Sequence, residues 1–343
     1  MIRETLEYLS QGLDMTEDHA FRLMNRIMDG ECTPAQIAGL LIALKMKGET
    51  VSELTGFVKA MRAKAVKIRA PEDTVDTCGT GGDGKGTFNV STAAAITAAA
   101  AGARVAKHGN RAVSGKSGSA DVLQELGVKI DLAPEATEQC LHEVGLAFLF
   151  APVHHPSMKH AAVPRREMGV RTAFNILGPL SNPASTQRQL IGAFSRDAAE
   201  KMVRVLQKCN SRHVLVVHSR DGMDELSISS ETTVYELKDG EIRRSEVRPE
   251  QFGIERAPQE AVAGGDAKQN AELMRRILAG EPSPFADITA LNAGATLYVA
   301  GKAPTLAAGV EAARAVLASG AAKAKLQELV DFTRRYAVEG AAA

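Results

Sequence analysis

The chain has 343 residues, in which 41 lysines and arginines are balanced by 41 aspartates and glutamates. At about 150 residues per domain, this length predicts two domains. Zero net charge excludes the broad positive surface of a protein that grips nucleic acid through many phosphates, so we expect no nucleic-acid partner. No apolar run approaches the roughly 18 residues of a membrane span, and the N-terminus lacks a secretory pattern. We therefore expect a cytoplasmic protein with no membrane partner.

The first 66 residues have the pattern of four helices. Thr16 and Thr33 can cap the second and third helices, and Thr50 with Glu53 forms a capping box for the fourth. These helices carry more leucine, methionine and valine than two short helices can bury between them. The region is therefore predicted to be either a small bundle or an oligomer interface.

From residue 73, short β-branched runs alternate with alanine-rich helical stretches that end in glycine. This alternation is typical of a mostly parallel sheet covered by helices. The predicted fold is therefore α/β, with a small all-helical domain and a large α/β domain around a mostly parallel central sheet. The predicted parallel strands have the sequences TVDTC, ARVAKH, LAFLF, QLIGAF and HVLVVH.

Two stretches interrupt the alternation. Residues 156–183 look helical, and we expect residues 165–185 to pack back on the N-terminal helices. Residues 232–247 predict a hairpin that turns at Asp239-Gly240. The tail from residue 284 is predicted to be helical. The small domain is then residues 1–70 with 165–185, and the large domain is residues 73–164 and 186–343.

A glycine-rich stretch follows the first predicted strand, with five glycines in the eight positions from Gly79 to Gly86. Successive backbone N–H groups in such a loop can turn toward one anion, and a helix that starts near Ser91 adds its dipole. The spacing also matches G-x-G-x-x-G, but the helix starts too late for a dinucleotide site, and the next strand ends in Lys107 and His108 instead of a carboxylate. The loop therefore predicts a phosphate site. Asp83 inside it favours a ribose hydroxyl or a metal beside the phosphate.

A second loop, Lys107 to Ser119, follows the next predicted strand. It falls one residue short of a Walker A motif, because Asn110 stands where that motif has glycine. The loop is basic and rich in hydroxyls and glycine. Neighbouring strand ends of this kind are where α/β sheets bind ligands. Two such loops side by side predict a substrate with phosphates at both ends.

Acidic and basic residues elsewhere complete the candidate site. Asp224 and Glu225 follow the strand HVLVVH, and such a pair beside phosphate loops suits Mg²⁺. Arg165 or Arg166 can bind a carboxylate of the substrate through two hydrogen bonds. His154 and His155 have no other ligand at metal spacing, so a histidine metal site is not predicted.

Four segments taken together resemble the anthranilate phosphoribosyltransferase family. They are DTCGTGGDGKGTFNVST, VAKHGNRAVSGKSGSADVLQELGV, HPSMKHAAVPRREMGVRTAFNILGPLSNPA and DGMDELS, spread over residues 75–230. The resemblance implies an enzyme of tryptophan biosynthesis. Such an enzyme moves the phosphoribosyl group of 5-phosphoribosyl-1-pyrophosphate (PRPP) to the amine of anthranilate, with pyrophosphate as the leaving group. It also implies Mg²⁺, as two ions bound with the pyrophosphate of the donor.

The resemblance also implies roles for particular residues. The metal positions are Ser91, Asp224 and Glu225, and the anthranilate positions are Gly79, Asn110 and Arg165. Lys107, Asn110 and Arg165 are the expected catalytic residues. The PRPP positions are Gly79, Gly82, Asp83, Thr87, Asn89, Val90, Ser91, Thr92, Lys107, His108, Gly109, Asn110, Arg111, Ala112, Val113, Ser114, Gly115 and Ser119.

The implied chemistry is displacement of pyrophosphate from a ribose carbon through a cation-like transition state, so charge on the leaving group must be stabilised. No residue is marked by its sequence context as an obligatory general base. Two alternatives stay open: a pyrimidine nucleoside phosphorylase, and a non-catalytic nucleic-acid-binding relative of the same fold. We expect a homodimer through the N-terminal helices, from the family and from their apolar surface.

Overall fold

The computed structural model describes residues 2–112 and 117–339. Its N-terminal region consists of the helices α1 (Ile2–Ser10), α2 (Glu17–Met28), α3 (Pro34–Lys47) and α4 (Val51–Lys64). The predicted caps are confirmed: Thr16 accepts a hydrogen bond at the start of α2, and Thr33 and Thr50 form capping boxes at α3 and α4. Glu53 is fully buried, where it accepts from the backbone N–H of Met15 and pairs with Lys47. Local capping therefore fixes the helix starts, and Glu53 connects α4 to α3 and to the turn that leads into α2.

Seven strands form one sheet: β1 (Val75–Gly79), β2 (Val105–Gly109), β3 (Leu146–Phe150), β4 (Arg188–Gly192), β5 (His213–Ser219), β6 (Thr232–Lys238) and β7 (Glu241–Val247). Their order in the sheet is β3-β2-β1-β4-β5-β6-β7. The first five strands of this order run parallel to one another. The strands β6 and β7 form the predicted hairpin and run antiparallel. Asp239 and Gly240 at its tip both have positive φ, as a tight hairpin turn requires. The predicted mostly parallel sheet is thus confirmed.

Helices cover both faces of this sheet. The remaining ones are α5 (Val90–Ala100), α6 (Ser119–Glu125), α7 (Pro134–Glu143), α8 (Ala151–His154), α9 (Lys159–Met168), α10 (Ala173–Leu177), α11 (Arg196–Lys208), α12 (Ala267–Leu278), α13 (Pro284–Val299), α14 (Leu306–Ala318) and α15 (Ala321–Glu339). One apolar cluster packs α5, α13 and α15 on one face, and a second cluster joins α11 and the N-terminal helices on the other. Sequence analysis did not predict α12, although Asp266 caps it in the usual way.

The segment from α8 to residue 185 connects the helical region to the sheet. The helix α9 packs against α3, and α10 packs against α4. Arg62 of α4 donates to the carbonyl of Leu180 at 2.8 Å, and the Val66 N–H donates to the His154 carbonyl. These contacts place α9 and α10 at the mouth of the space above the sheet.

Within the described part of the chain, no helix combines the length and apolar character needed to cross a membrane.

Candidate active site

The site lies where the sheet order reverses. The chain moves from β1 outward to β2 and β3, and then returns to the other side of β1 with β4. Ligands of α/β proteins bind at the carboxyl ends of strands at such a switch point. Gly79 and Gly192 are paired neighbours at these ends, and both lie against Asp224. A side-chain carbon on Gly79 would lie 2.6 Å from Asp224 Oδ2, and one on Gly192 would lie 1.5 Å from the Asp224 carbonyl oxygen. Glycine is needed here for this close approach.

The loop between β1 and α5 has the conformation expected of an anion-binding loop. Gly81, Gly82, Gly84 and Gly86 all have positive φ, between 64° and 73°. Glycine adopts this backbone conformation without the strain that other residues meet. The helix α5 begins at Val90, one residue before the predicted start. Backbone N–H groups of the loop and the start of α5 are therefore gathered at one place, as a phosphate site requires.

A cavity of about 950 Å³ opens at this place. It is large enough for two small-molecule substrates, since ligand pockets typically measure about 300–1,000 Å³. Every predicted site residue that the structure describes lines it. They are Gly79, Gly82, Asp83, Thr87, Asn89, Val90, Ser91, Thr92, Lys107, His108, Gly109, Asn110, Arg111, Ala112, Ser119, Arg165, Asp224 and Glu225. The predicted residues Val113, Ser114 and Gly115 lie outside the described residues.

Lys107 lies at the floor of the cavity and is only 3% exposed. Its Nζ donates to the Thr77 carbonyl at 2.7 Å and to Ser91 Oγ at 3.1 Å. Burial lowers the pKa of Lys107, although the nearby carboxylates of Asp76 and Glu225 favour its charged form. An ammonium has three donor hydrogens, so one more can serve a ligand. Lys107 can therefore supply positive charge from a buried position, where electrostatic interactions are stronger than in water.

The loop after β2 is held by α6. Asp121 accepts from the N–H groups of Ala112 and Gly118 and pairs with Arg111 at 2.9 Å. The Arg111 guanidinium therefore bonds to α6 through both terminal nitrogens, because its Nη2 also donates to Gln124 Oε1 at 3.0 Å, although the residue lines the cavity. The backbone carbonyl of Asn110 accepts a hydrogen bond from Ser119 Oγ at 3.2 Å. This network closes the ends of a loop rich in backbone donors.

Two buried carboxylates lie opposite the glycine loop. Asp224 Oδ2 accepts from the Gly81 N–H at 2.8 Å, and Glu225 Oε1 accepts from the Ser91 N–H at 3.2 Å. Burial, followed by the neighbouring Asp83 carboxylate, raises the pKa of Asp224 to about 7. Burial and the charge of Asp224 raise the pKa of Glu225 well above its usual range. A bound cation would reverse both effects, because it favours the charged forms.

The donor set fits Mg²⁺ only in combination with a substrate. Among residues 2–112 and 117–339, no group of three or more His, Cys, Asp and Glu side chains is arranged to hold a metal ion. Each hydrogen bond described for Asp224 and Glu225 uses one oxygen of its carboxylate, so a second oxygen of each can coordinate a cation. Mg²⁺ is commonly bound by one or two carboxylates with substrate phosphates and water. The two carboxylates beside a phosphate loop meet that requirement.

The opposite wall of the cavity comes from α9 and α10. The Arg165 guanidinium lies 5.0 Å from the centre of the Phe174 ring, and burial lowers the pKa of Arg165. Arg166 is exposed, so the structure selects Arg165 from the two predicted candidates. His108 and His155 lie against each other at this wall, with ring centres 5.1 Å apart and ring planes tilted by 49°. A half-buried guanidinium beside apolar and aromatic surface suits a planar aromatic acid.

Sequence analysis missed several residues of the cavity. Asn270 donates to Asn89 Oδ1 at 3.0 Å, and the Gly264 N–H donates to the Gly86 carbonyl at 2.8 Å. Gly264 lies in the loop before α12 and Asn270 in the first turn of that helix, and both support the glycine loop. In the sequence, the Gly264-Gly265 pair followed by a helix-capping residue at Asp266 could have indicated this loop and the helix after it. Phe174 was also missed, because an aromatic residue in a helix gives no sign of the arginine it contacts.

A helical domain joined to an α/β domain, with a phosphate loop at the switch point, defines a class of glycosyltransferases. Residues 71–323 match the family model described as "Glycosyl transferase family, a/b domain", and residues 3–65 match the model described as "Glycosyl transferase family, helical bundle domain". The anthranilate phosphoribosyltransferase of Thioalkalivibrio sulfidiphilus is 52% identical over 97% of this chain and 98% of its own. That of Geobacillus kaustophilus is 52% identical over 96% and 97%. The chain belongs to the anthranilate phosphoribosyltransferase family.

Solved structures agree with this assignment. The crystal structure of anthranilate phosphoribosyltransferase from Thermus thermophilus has a TM-score of 0.91 at 45% identity, over 96% of this chain and 99% of that one. The Saccharomyces cerevisiae enzyme in complex with PRPP and Mg has a TM-score of 0.89 over 97% and 98% of the two chains. Because its sequence identity is only 24%, this second structure supports the fold of the chain and nothing further.

Proposed function

We propose that this protein transfers the phosphoribosyl group of PRPP to the amine of anthranilate, which gives N-(5-phosphoribosyl)anthranilate and pyrophosphate. The observation that carries this proposal is the cavity itself. A glycine loop and Lys107 form one end, Asp224 and Glu225 lie beside them, and the half-buried Arg165 forms the other end. Family membership names the two substrates that such a cavity accepts.

The donor binds at the strand ends. Its phosphates lie against the N–H groups of the glycine loop and the start of α5, where the helix dipole favours negative charge. When the bond between the ribose carbon and pyrophosphate breaks, the electron pair leaves with pyrophosphate. Lys107 and the backbone donors stabilise that growing charge in a site with little water, where such interactions are strongest.

The acceptor binds at the α9 wall. Arg165 holds the anthranilate carboxylate, and Asn110 borders the same space. The amine nitrogen then forms the new bond to the ribose carbon, and its surplus proton passes to the departing pyrophosphate, a base that the reaction itself supplies. Burial lowers the pKa of His155 to about 4 and that of His108 well below its usual range, so both rings are neutral near pH 7. Positioning a neutral amine beside the reacting carbon is the main contribution of this wall.

Asp224 and Glu225, with Ser91, would hold Mg²⁺. Bound there with the pyrophosphate, the metal would neutralise charge on the leaving group. We propose two ions, because both carboxylates are buried and a pyrophosphate offers oxygens to each.

The test is a turnover assay in which purified protein is mixed with anthranilate, PRPP and Mg²⁺ while anthranilate fluorescence is followed. Loss of fluorescence should need the donor and the metal, and EDTA should stop it. Persistent fluorescence from folded protein that still binds PRPP would refute anthranilate as the acceptor. Phosphate-dependent release of a pyrimidine base from a nucleoside would support the phosphorylase alternative in its place.

We also propose a homodimer in the cytoplasm, formed through the N-terminal helices. Exposed apolar side chains are concentrated there: Tyr8, Leu13 and Ile42 are each at least 36% exposed, and Met46 is 84% exposed. Apolar surface of this kind marks an interface. The variant Met46→Glu should shift the mass measured by light scattering from dimer toward monomer, and an unchanged dimer would place the interface elsewhere.

A further inference from the structure

Arg171 holds the glycine loop from outside the cavity. It lies in the turn between α9 and α10, and its Nη1 donates to the Gly82 carbonyl at 3.1 Å. The same guanidinium lies 4.8 Å from the centre of the Phe194 ring. A side-chain carbon on Gly82 would lie 3.4 Å from Arg171 Cδ, so the loop and the arginine are in close contact along the side chain.

Phe194 is itself fixed to the same loop. It follows β4, and its N–H donates to Thr80 Oγ1 at 3.0 Å. The loop is therefore anchored at Thr80 and at Gly82, on either side of Gly81. The Gly81 N–H is the group that binds Asp224. The two contacts therefore position the Gly81 N–H between them. Through its hydrogen bond, that N–H orients the Asp224 carboxylate.

Arg171 also belongs to the segment that forms the acceptor wall. Arg165 precedes it in α9, and Phe174, which the Arg165 guanidinium contacts, follows it in α10. Gly82, Arg165 and Phe174 line the cavity, whereas Arg171 does not. Arg171 therefore touches neither end of the cavity, but it connects the donor loop to the segment that carries the acceptor residues.

We propose that Arg171 is a positioning residue that holds the donor loop in its anion-binding conformation and couples it to the acceptor wall. The Phe194 ring is the platform that keeps the guanidinium in place through a cation–π contact. This inference rests on the proposed transfer reaction, since that reaction assigns the two ends of the cavity. The Arg171 guanidinium contacts the Gly82 carbonyl and the Phe194 ring, so it restricts the motion of the loop without contacting a reacting atom.

The test compares Arg171→Ala, Arg171→Lys and Phe194→Leu with the matched control Arg196→Ala, which removes an exposed arginine two residues beyond Phe194. Hydrogen exchange of the peptide spanning residues 80–88 is measured first, in protein without substrates. The KM values of PRPP and anthranilate and the kcat are then measured separately. The exchange measurement needs no turnover, so its outcome does not depend on the identity of the acceptor.

Arg171→Ala should speed exchange in residues 80–88 several-fold while β2 exchanges as before. It should also raise the PRPP KM about tenfold, which corresponds to about 1.4 kcal/mol. The kcat at saturation should stay within about threefold. Arg171→Lys and Phe194→Leu should fall between wild type and Arg171→Ala, and Arg196→Ala should match wild type.

Two results would overturn the inference while leaving the proposed function intact. One is an Arg171→Ala variant whose loop exchange and PRPP KM match those of active wild type. The other is a rise confined to the anthranilate KM, which would make Arg171 part of the acceptor site. Wild-type protein that fails to consume anthranilate would refute the proposed function instead, and the exchange result would still decide whether Arg171 orders the loop.

Discussion

Gly79→Ala tests whether the close approach at the strand ends positions Asp224 for Mg²⁺. The new methyl group would lie 2.6 Å from Asp224 Oδ2 and 3.2 Å from its Cγ. Carbon and oxygen atoms that are not bonded prefer a separation of about 3.5 Å, so the carboxylate must move by close to 1 Å. That movement breaks or stretches its 2.8 Å hydrogen bond from the Gly81 N–H.

The magnitude follows from these contacts. A hydrogen bond to a charged group contributes about 1.5–3 kcal/mol, and overpacking a buried site costs about 1–3 kcal/mol. We expect the free energy of unfolding to fall by about 3 kcal/mol, near the lower end of the two costs combined, which leaves most of the protein folded. If half of that energy appears as weaker metal binding, the Mg²⁺ concentration for half-maximal activity should rise about tenfold.

The assay is a Mg²⁺ titration of turnover at saturating PRPP and anthranilate, with chemical denaturation run in parallel. Gly39→Ala is the matched control, because a side-chain carbon there would meet only Leu6 Cδ2 at an ordinary 3.6 Å. The control should leave the Mg²⁺ requirement unchanged. A Gly79→Ala variant with the wild-type Mg²⁺ requirement would refute the reasoning, because Asp224 would then not bind the metal through this geometry.

Three further results are expected. Replacing Asp224 and Glu225 together by alanine should reduce kcat/KM at ordinary Mg²⁺ by more than about a hundredfold, and wild-type turnover would remove both from the metal site. Arg165→Ala should raise the anthranilate KM far more than the PRPP KM, while the exposed Arg166→Ala should change neither; equal rises in both would indicate a structural role for Arg165. Burial holds the pKa of His155 at about 4 in the folded protein, below its usual value of 6.5, so the unfolded chain binds more protons between these values. The stabilising contribution of His155 should therefore fall by about 2 kcal/mol as pH drops from 7 to 5, and denaturant titrations should show the stability of His155→Gln shifting by that amount relative to wild type, in favour of the variant; parallel pH profiles would contradict this.

Local features of this protein could be predicted from its sequence. Thr16, Thr33 and Thr50 cap their helices because a short polar side chain satisfies the N–H groups that a helix start leaves without partners. The glycine loop was recognised because only glycine tolerates several positive φ angles in succession. The parallel strands were found within one or two residues of their observed ends, since their apolar runs are short and bounded by turns.

Contacts between distant segments were decided by the tertiary structure alone. Asn270 meets Asn89 across 181 positions, and nothing local to either residue indicates the pairing. The choice of Arg165 over Arg166 depends on which side of α9 faces Phe174. The approach of Asp224 to Gly79 depends on β4 returning beside β1. Sequence patterns encode backbone preferences and burial over a few residues, whereas strand order decides which loops meet, and the active site is built where they meet.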